Sequence, residues 1–414
     1  MQILIFLLKM NLTGVSYVIM ARLNLIVVLQ FAMVLGSIFL WLMLSPTDDK
    51  FVFLTLVTFL KQNLKCHQDI ACIAITLFFS HICSIFYCVA IGKESNILAV
   101  ISFTLFAIYI HTIFFLIIYL LMRTMSYVLI FVMNDRSNRN SVALLAIIFA
   151  VCGLWVAMSP PNIRYVTIKI RNLPLAQIGF RIALLSDLHV GPTVGHSNVQ
   201  KMVDIINSIG PDVIAISGDL ADGFVKQLKK AVCPLKNLTP RYGTFFATGN
   251  HEYLHGNVNE WFTFLKKIGI IPLHNGNKKI SINESVVCIA GADDLFAQYS
   301  RIPGHAMNYR KALRRCNKND TTIILIHQPN AAQIILRDIE IAENVDLILS
   351  GHTHAGQMYL FIPLVYIWNA FFHGLYYDKT TETYVYVSAG VNYFGPPVKI
   401  LGKREITLIT LLRK

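Results

Sequence analysis

The chain is short of charge. Only 14% of its 414 residues are Asp, Glu, Lys or Arg, while 55% are hydrophobic; soluble domains carry about a quarter charged residues. That deficit excludes a protein that is soluble throughout. Cysteine is scarce where it would matter: of eight, five (Cys66, Cys72, Cys83, Cys88 and Cys152) lie in or beside apolar runs, leaving Cys233, Cys288 and Cys316 in the polar part. There is no C-x-x-C, so neither a disulfide framework nor a thiolate zinc site is expected. No charged segment precedes the apolar opening, which argues against a signal peptide. Heptads and internal repeats are also missing, so coiled-coil and solenoid architectures are set aside.

What charge there is falls unevenly. Residues 23–158 carry little, and from about Arg164 onward charge recurs at ordinary density, which divides the chain into a membrane domain, 1–160, and a second domain, 161–414. Four runs approach the roughly twenty residues needed to cross a bilayer: 23–44, 70–91, 97–122 and the shorter 142–158. The opening stretch, divided by Lys9, reads as a fifth span, an interfacial helix or a misplaced start. Core helices of a large soluble protein are the competing reading, but so many successive runs exceed what such a core needs.

With four spans, Lys50, Lys61, Lys65, Arg123, Arg136 and Arg139 fall on one side, and Lys9, Arg22 and Lys93 on the other with the C-terminal domain. The side richer in basic loops faces the cytosol, so a multi-pass protein with its large domain extracytoplasmic or lumenal is expected. N-x-[ST] matches at Asn11, Asn237, Asn283 and Asn319 are compatible with that side. The formal net charge of +13 lies mostly in the soluble part, where it would favour anionic headgroups, so the bilayer is an expected partner.

After the last apolar run, Pro160 and Pro161 stop a helix and an alternating segment follows, the pattern of an edge strand. From Phe180 the chain cycles through apolar strand, polar loop and amphipathic helix. Strands of continuous Val, Ile and Leu between helices predict an α/β domain whose sheet is buried on both faces. Ligands in such sheets collect beyond the carboxyl ends of the strands.

Five apolar runs end in polar loops of one chemical character. "RIALLSDLHVG" supplies Asp187 and His189; "DVIAISGDLADG" supplies Asp219 and Asp222; "GTFFATGNHEYLHG" supplies Asn250, His251 and Glu252; "TTIILIHQP" supplies His327; "VDLILSGHTHAGQ" supplies His352 and His354. D-x-H and H-x-H spacings let one loop offer two side chains to one centre, and Gly218, Gly249 and Gly351 allow close backbone approach. Carboxylate and imidazole ligands suit Mn, Fe, Zn or Ni. Two divalent cations held by Asp187 and Asp219 among neutral ligands leave excess positive charge, which a phosphate ester's oxygens require. Asp219, from the central loop, is the natural bridge.

The ordered set D-x-H, G-D, G-N-H-E, H and G-H-x-H resembles the calcineurin-like metallophosphoesterases, over roughly residues 163–414. The resemblance implies a four-layer α/β/β/α sandwich behind the helical membrane domain. It implies that Asp187, His189 and His354 bind one metal, that Asn250, His327 and His352 bind a second, and that Asp219 is shared. His251 would touch the phosphate and protonate the leaving oxygen. It also implies hydrolysis of a phosphomonoester, phosphodiester or pyrophosphate, without naming the substrate; no specific nucleic-acid partner is expected. The competing reading is a membrane scaffold or transport-associated protein that binds metal without turnover.

Neighbouring residues read more plainly. Asp222 is expected to support a ligand, Glu252 to orient its loop, and Asp293 with Asp294 to form a turn. The apolar stretch 358–377 reads as core strands or as a bilayer-facing strip that turns His373 toward the cleft.

Overall fold

The structure, a computed structural model, describes residues 95–128, 135–254, 258–399 and 404–414. Two long helices come first, α1 (Ile97–Val128) and α2 (Asp135–Met158). Among the described residues only α1 is long and apolar enough to cross a membrane, over Ile97–Tyr119; the apolar part of α2, Leu144–Met158, is shorter. The expected spans at 23–44 and 70–91 lie outside the described residues.

Past the double proline the chain runs through β1 (Asn162–Ile170), β2 (Arg181–Leu185), α3 (His196–Ile209), β3 (Val213–Ser217), α4 (Val225–Val232), β4 (Thr244–Ala247), α5 (Asn250–Leu254), α6 (Val258–Lys267) and β5 (Ile270–Pro272). The second half holds β6 (Gly276–Ile282), β7 (Ser285–Gly291), α7 (Tyr309–Leu313), β8 (Thr321–Leu325), α8 (Pro329–Arg337), α9 (Ile339–Ala342), β9 (Leu347–Ser350), α10 (Ile362–Trp368), β10 (Gly374–Tyr377), β11 (Tyr384–Val387) and β12 (Glu405–Arg413).

The strands form two six-stranded sheets, ordered β1-β12-β2-β3-β4-β5 and β10-β11-β9-β8-β7-β6. Strands β2 to β5 are parallel, as are β7, β8, β9 and β11, while β6 and β10 pair antiparallel at the rims of the second sheet. β1 is an edge strand, as its alternation predicted, and its one partner is β12, which runs parallel to it and antiparallel to β2.

The facing sheets share one core, in which Leu184, Ala215 and Phe245 of the first meet Ile289, Leu325 and Leu349 of the second. The other face of the first sheet is covered by α3, α4 and α6 through Val203, Leu228 and Trp261. Ala312, Ala332 and Ile335 cover the other face of the second. Burial on both faces explains the unbroken apolar strands. In α3 the buried Val199, Met202, Val203 and Ile206 follow helical spacing, and Gly210, left-handed at φ 53°, ends the helix.

Two features lie beyond the sequence reading. Cys288 at the centre of β7 is bonded to Cys316, past the end of α7, a single bond to which the cysteine spacing does not point. Counting cannot reveal it, because the pair meets only once α7 has folded onto β7. The stretch after the double histidine is not a run of buried core strands: Pro363 sits in the first turn of the short helix α10. Tyr366, Ile367 and Trp368 stand exposed on it, and β10 is the one strand within the stretch.

Candidate metal centre

Every one of the five polar loops emerges at the carboxyl end of a parallel strand: β2, β3 and β4 in the first sheet, β8 and β9 in the second. The sheets face each other, so the loops converge. The approach is close enough to need glycine. A Cβ on Gly351 would lie 2.6 Å from Asp187 Oδ2 and from Ser186, and one on Gly249 would overlap the Asp219 carboxylate. Five of the expected residues hold left-handed backbone: Asp187 (φ 55°), His189 (43°), Asp219 (52°), His352 (72°) and His354 (50°). Such conformations cost about 1 to 3 kcal/mol each and persist where the surroundings over-determine them.

The side chains meet in two groups with one atom in common. In the first, Asp187 Oδ1 lies 3.4 Å from His354 Nε2, which lies 3.1 Å from His189 Nε2. In the second, His327 Nε2 lies 3.3 Å from His352 Nδ1, which lies 3.0 Å from Asn250 Oδ1. Asp219 Oδ2 stands between them, 3.7 Å from His189 Nε2 and 3.1 Å from His327 Nε2. The seven predicted ligand residues are therefore all brought together.

Tautomers decide what these groups can hold. His189 Nδ1 faces Asp222 Oδ1 at 2.8 Å, and His327 Nδ1 faces the carbonyl oxygen of Ser217 at 2.9 Å. Each outer nitrogen therefore has an acceptor of its own, which turns both Nε2 atoms inward among carboxylate oxygens, where a cation would meet them. Burial opposes it, but the Asp219 carboxylate raises His327 well above the usual histidine range, the pull a cation would take over. Burial and the neighbouring His327 lower His352 to about 4, and burial with His189 holds His354 well below the usual histidine range. Both are neutral bases, the form in which imidazole binds metal.

The supports pack beside them, His251 and Glu252 buried and Asp222 partly so. Asp222 Oδ1 also lies 2.7 Å from His251 Nδ1, so one carboxylate sets two imidazoles. His251 donates its backbone N–H to Asp219 Oδ1 at 2.9 Å, and its Nε2 looks toward the shared carboxylate at 3.9 Å. Glu252 accepts from the backbone N–H groups of Gly249, Asp219 and Leu220 at 2.6, 3.1 and 2.8 Å. It thereby ties the second loop to the third, the orienting role its position suggested. Burial and the Asp219 carboxylate raise it to about 7.

Sequence reasoning missed the Ser217 carbonyl, which no side-chain pattern reveals, and Phe394. That ring lies 4.8 Å from His251 and 5.4 Å from His189, clamped by Gln357, which exchanges hydrogen bonds with its backbone N–H and carbonyl at 2.8 Å each. His373 turns to Glu405, 3.3 Å away, and to Arg164 at 3.4 Å.

Comparison with known proteins agrees with this geometry. Residues 180–356 match the profile of the Calcineurin-like phosphoesterase family. A Caenorhabditis elegans protein named as a metallophosphoesterase, F40B5.2, is 46% identical over 368 residues, covering 85% of this chain and 76% of that protein. The chain belongs to the calcineurin-like metallophosphoesterases. It is accordingly a hydrolase of phosphate-ester bonds. The Transmembrane protein with metallophosphoesterase domain of Danio rerio is 37% identical over 362 residues, 84% of this chain and 80% of that one. A solved dimetal phosphatase, also from Danio rerio, overlays 56% of this chain and 99% of its own at 12% identity and a TM-score of 0.35, too loosely to carry an argument.

Proposed function

We propose that this metallophosphoesterase works at a membrane with two divalent cations. Asp187, His189 and His354 would hold one, Asn250, His327 and His352 the other, and Asp219 both. The observation that carries the reading is the pair of inward Nε2 atoms of His189 and His327, both facing Asp219 Oδ2. Two such cations supply Lewis acidity to the phosphate oxygens and make water nucleophilic near neutral pH. The residues do the rest. Asp222 fixes the His251 ring by its Nδ1 atom, which leaves Nε2 to approach the ester and give its proton to the departing oxygen. Phe394 packs edge-on against that ring.

Membrane attachment rests on the apolar length of α1 and on how the helices meet the site. Tyr359, five residues beyond His354, packs its ring 6.2 Å from Phe114 of α1 and 5.5 Å from Phe149 of α2. A substrate whose phosphate lies near a bilayer surface, as a monoester, diester or pyrophosphate, suits a site so placed. Residues 1–160 would form the multi-pass membrane domain and 161–414 the catalytic one. The Cys288–Cys316 bond supports a lumenal or extracytoplasmic catalytic domain, since disulfides persist in oxidising compartments.

The test is hydrolysis by the full chain in detergent micelles with Mn²⁺. p-Nitrophenyl phosphate, bis(p-nitrophenyl) phosphate and phospholipid monoesters should be compared. Metal-dependent turnover that Asp219→Asn abolishes and His251→Ala reduces about 10² to 10⁴-fold is expected. A protein that binds two metals yet turns over nothing would return the scaffold reading. A preference for the soluble nitrophenyl esters over lipid phosphates would remove the membrane-proximal substrate.

A further inference from the structure

A second knot of imidazole and carboxylate lies outside this centre. His274 follows β5, Asp293 follows the carboxyl end of β7, and His305 lies in the loop before α7. A ligand atom from each falls within 4.8 Å of the others. His274 Nδ1 is 2.8 Å from Asp293 Oδ1, His305 Nδ1 is 3.3 Å from Asp293 Oδ2, and the two imidazole centroids are 4.4 Å apart.

Hydrogen bonding leaves this knot one partner short. Asp293 has no exposed side-chain surface, and its Oδ2 accepts no hydrogen bond. The His305 Nδ1 atom beside it cannot readily donate. His305 Nε2 lies 3.2 Å from Asn259 Oδ1 and so carries the ring's proton, while the Tyr253 hydroxyl approaches Nδ1 at 3.2 Å. A buried, charged oxygen thus faces a ring nitrogen with no hydrogen bond between them, an unfavourable arrangement unless something positive lies between.

We propose that His274, Asp293 and His305 form a third metal site, for one divalent cation of the zinc class. Two imidazoles and a carboxylate, with no thiolate, are ligands of that class. Each imidazole Nδ1 lies close to one oxygen of Asp293, at 2.8 and 3.3 Å, and one ligand atom from each residue falls within 4.8 Å of the others, close enough to share one ion. The His274 side chain is 36% exposed, which gives the ion its entry and leaves water the fourth position, while Phe262 walls both rings at 5.7 and 5.8 Å. The site is separate from the centre around Asp219 but joined to it. Tyr253, which touches His305, belongs to α5, the helix that begins with Asn250 and His251, and it bonds Thr248 at 3.1 Å. A cation here pins the segment after β7 to that helix.

Metal counting tests the proposal. Full-length protein in detergent is saturated with Zn²⁺, desalted and measured by mass spectrometry of the metal, and Co²⁺ loading gives the visible spectrum of the sites. Wild type should hold one more equivalent than His274→Ala, and the pair His327→Ala with His352→Ala should keep the ion that His274→Ala loses. The Co²⁺ bands of a tetrahedral site should disappear in His274→Ala alone. His274 is partly exposed, so this variant should fold; Asp293→Asn, if it folds, should match it. Equal zinc content in wild type and His274→Ala overturns the proposal, and means that His305 holds a second proton instead. Because the count is a difference between variants, it is readable even if the centre around Asp219 holds no metal.

Discussion

Asp222 Oδ1 lies 2.8 Å from Nδ1 of His189. The same oxygen holds His251 at 2.7 Å, so one acceptor sets the tautomer of a metal ligand and the aim of the proton donor together. Asp222→Asn keeps the shape and loses the charge. Losses of about 10 to 100-fold in metal affinity or turnover are typical when such a partner is removed. Here both should fall, kcat by more than KM rises, in steady-state assays across a Mn²⁺ titration.

Glu252 gathers three backbone N–H groups from two loops. Glutamine in its place would set an NH₂ group against at least one of those donors. Glu252→Gln should therefore lower stability by about 2 to 4 kcal/mol, seen as a lower thermal midpoint in detergent. Activity should fall with it, because Asp219 and Asn250 ride on the same loops.

Glu405 predicts a pH dependence. Burial alone would raise its pKa, but the His373 imidazole and the Ala389 N–H outweigh it and hold the carboxyl below its usual range. A depressed folded-state pKa means stability that is present above the unfolded value, near 4.3, and lost as the pH falls through the folded one. Wild type should exceed Glu405→Gln in thermal midpoint at pH 7, with the gap closing below about pH 4. A gap that widened on acidification would contradict this.

The Cys288–Cys316 bond closes a loop with a sequence separation of 28. By loop entropy it should contribute about 3 to 4 kcal/mol. Cys316→Ser should unfold at lower temperature than wild type, and dithiothreitol should destabilise wild type but leave the variant unmoved. Protein alkylated without prior reduction should show Cys288 and Cys316 unmodified and their linked peptides two hydrogen atoms lighter than the two free-thiol peptides together.

The centre is readable from sequence because its ligands sit at strand ends, where apolar runs stop abruptly and the fold class says ligands gather. Asp187 and Asp219 can be assigned to one place from the order of residues alone, since the parallel strands β2 and β3 bring their carboxyl ends together, whereas His352 joins them because the second sheet faces the first. What is not legible depends on contacts between distant segments. Asp293 looks like a turn residue because nothing near it in the chain marks His274 or His305 as its neighbours. The Ser217 carbonyl is backbone, which no pattern of side chains can announce. The sequence around α10 reads as strand or strip because Pro363 interrupts the apolar run, whereas in the fold that proline opens a helix.

β12 lies between β1 and β2, and this order sets a timetable. β1 follows directly on α2 and is made well before its partner. It must then wait for the chain's last described strand before any neighbour can pair with it. During that interval its open edge is available to other chains. A ribosome that stalled before Glu405, or a truncation there, would leave that strand unpaired, a concern for quality control rather than for catalysis.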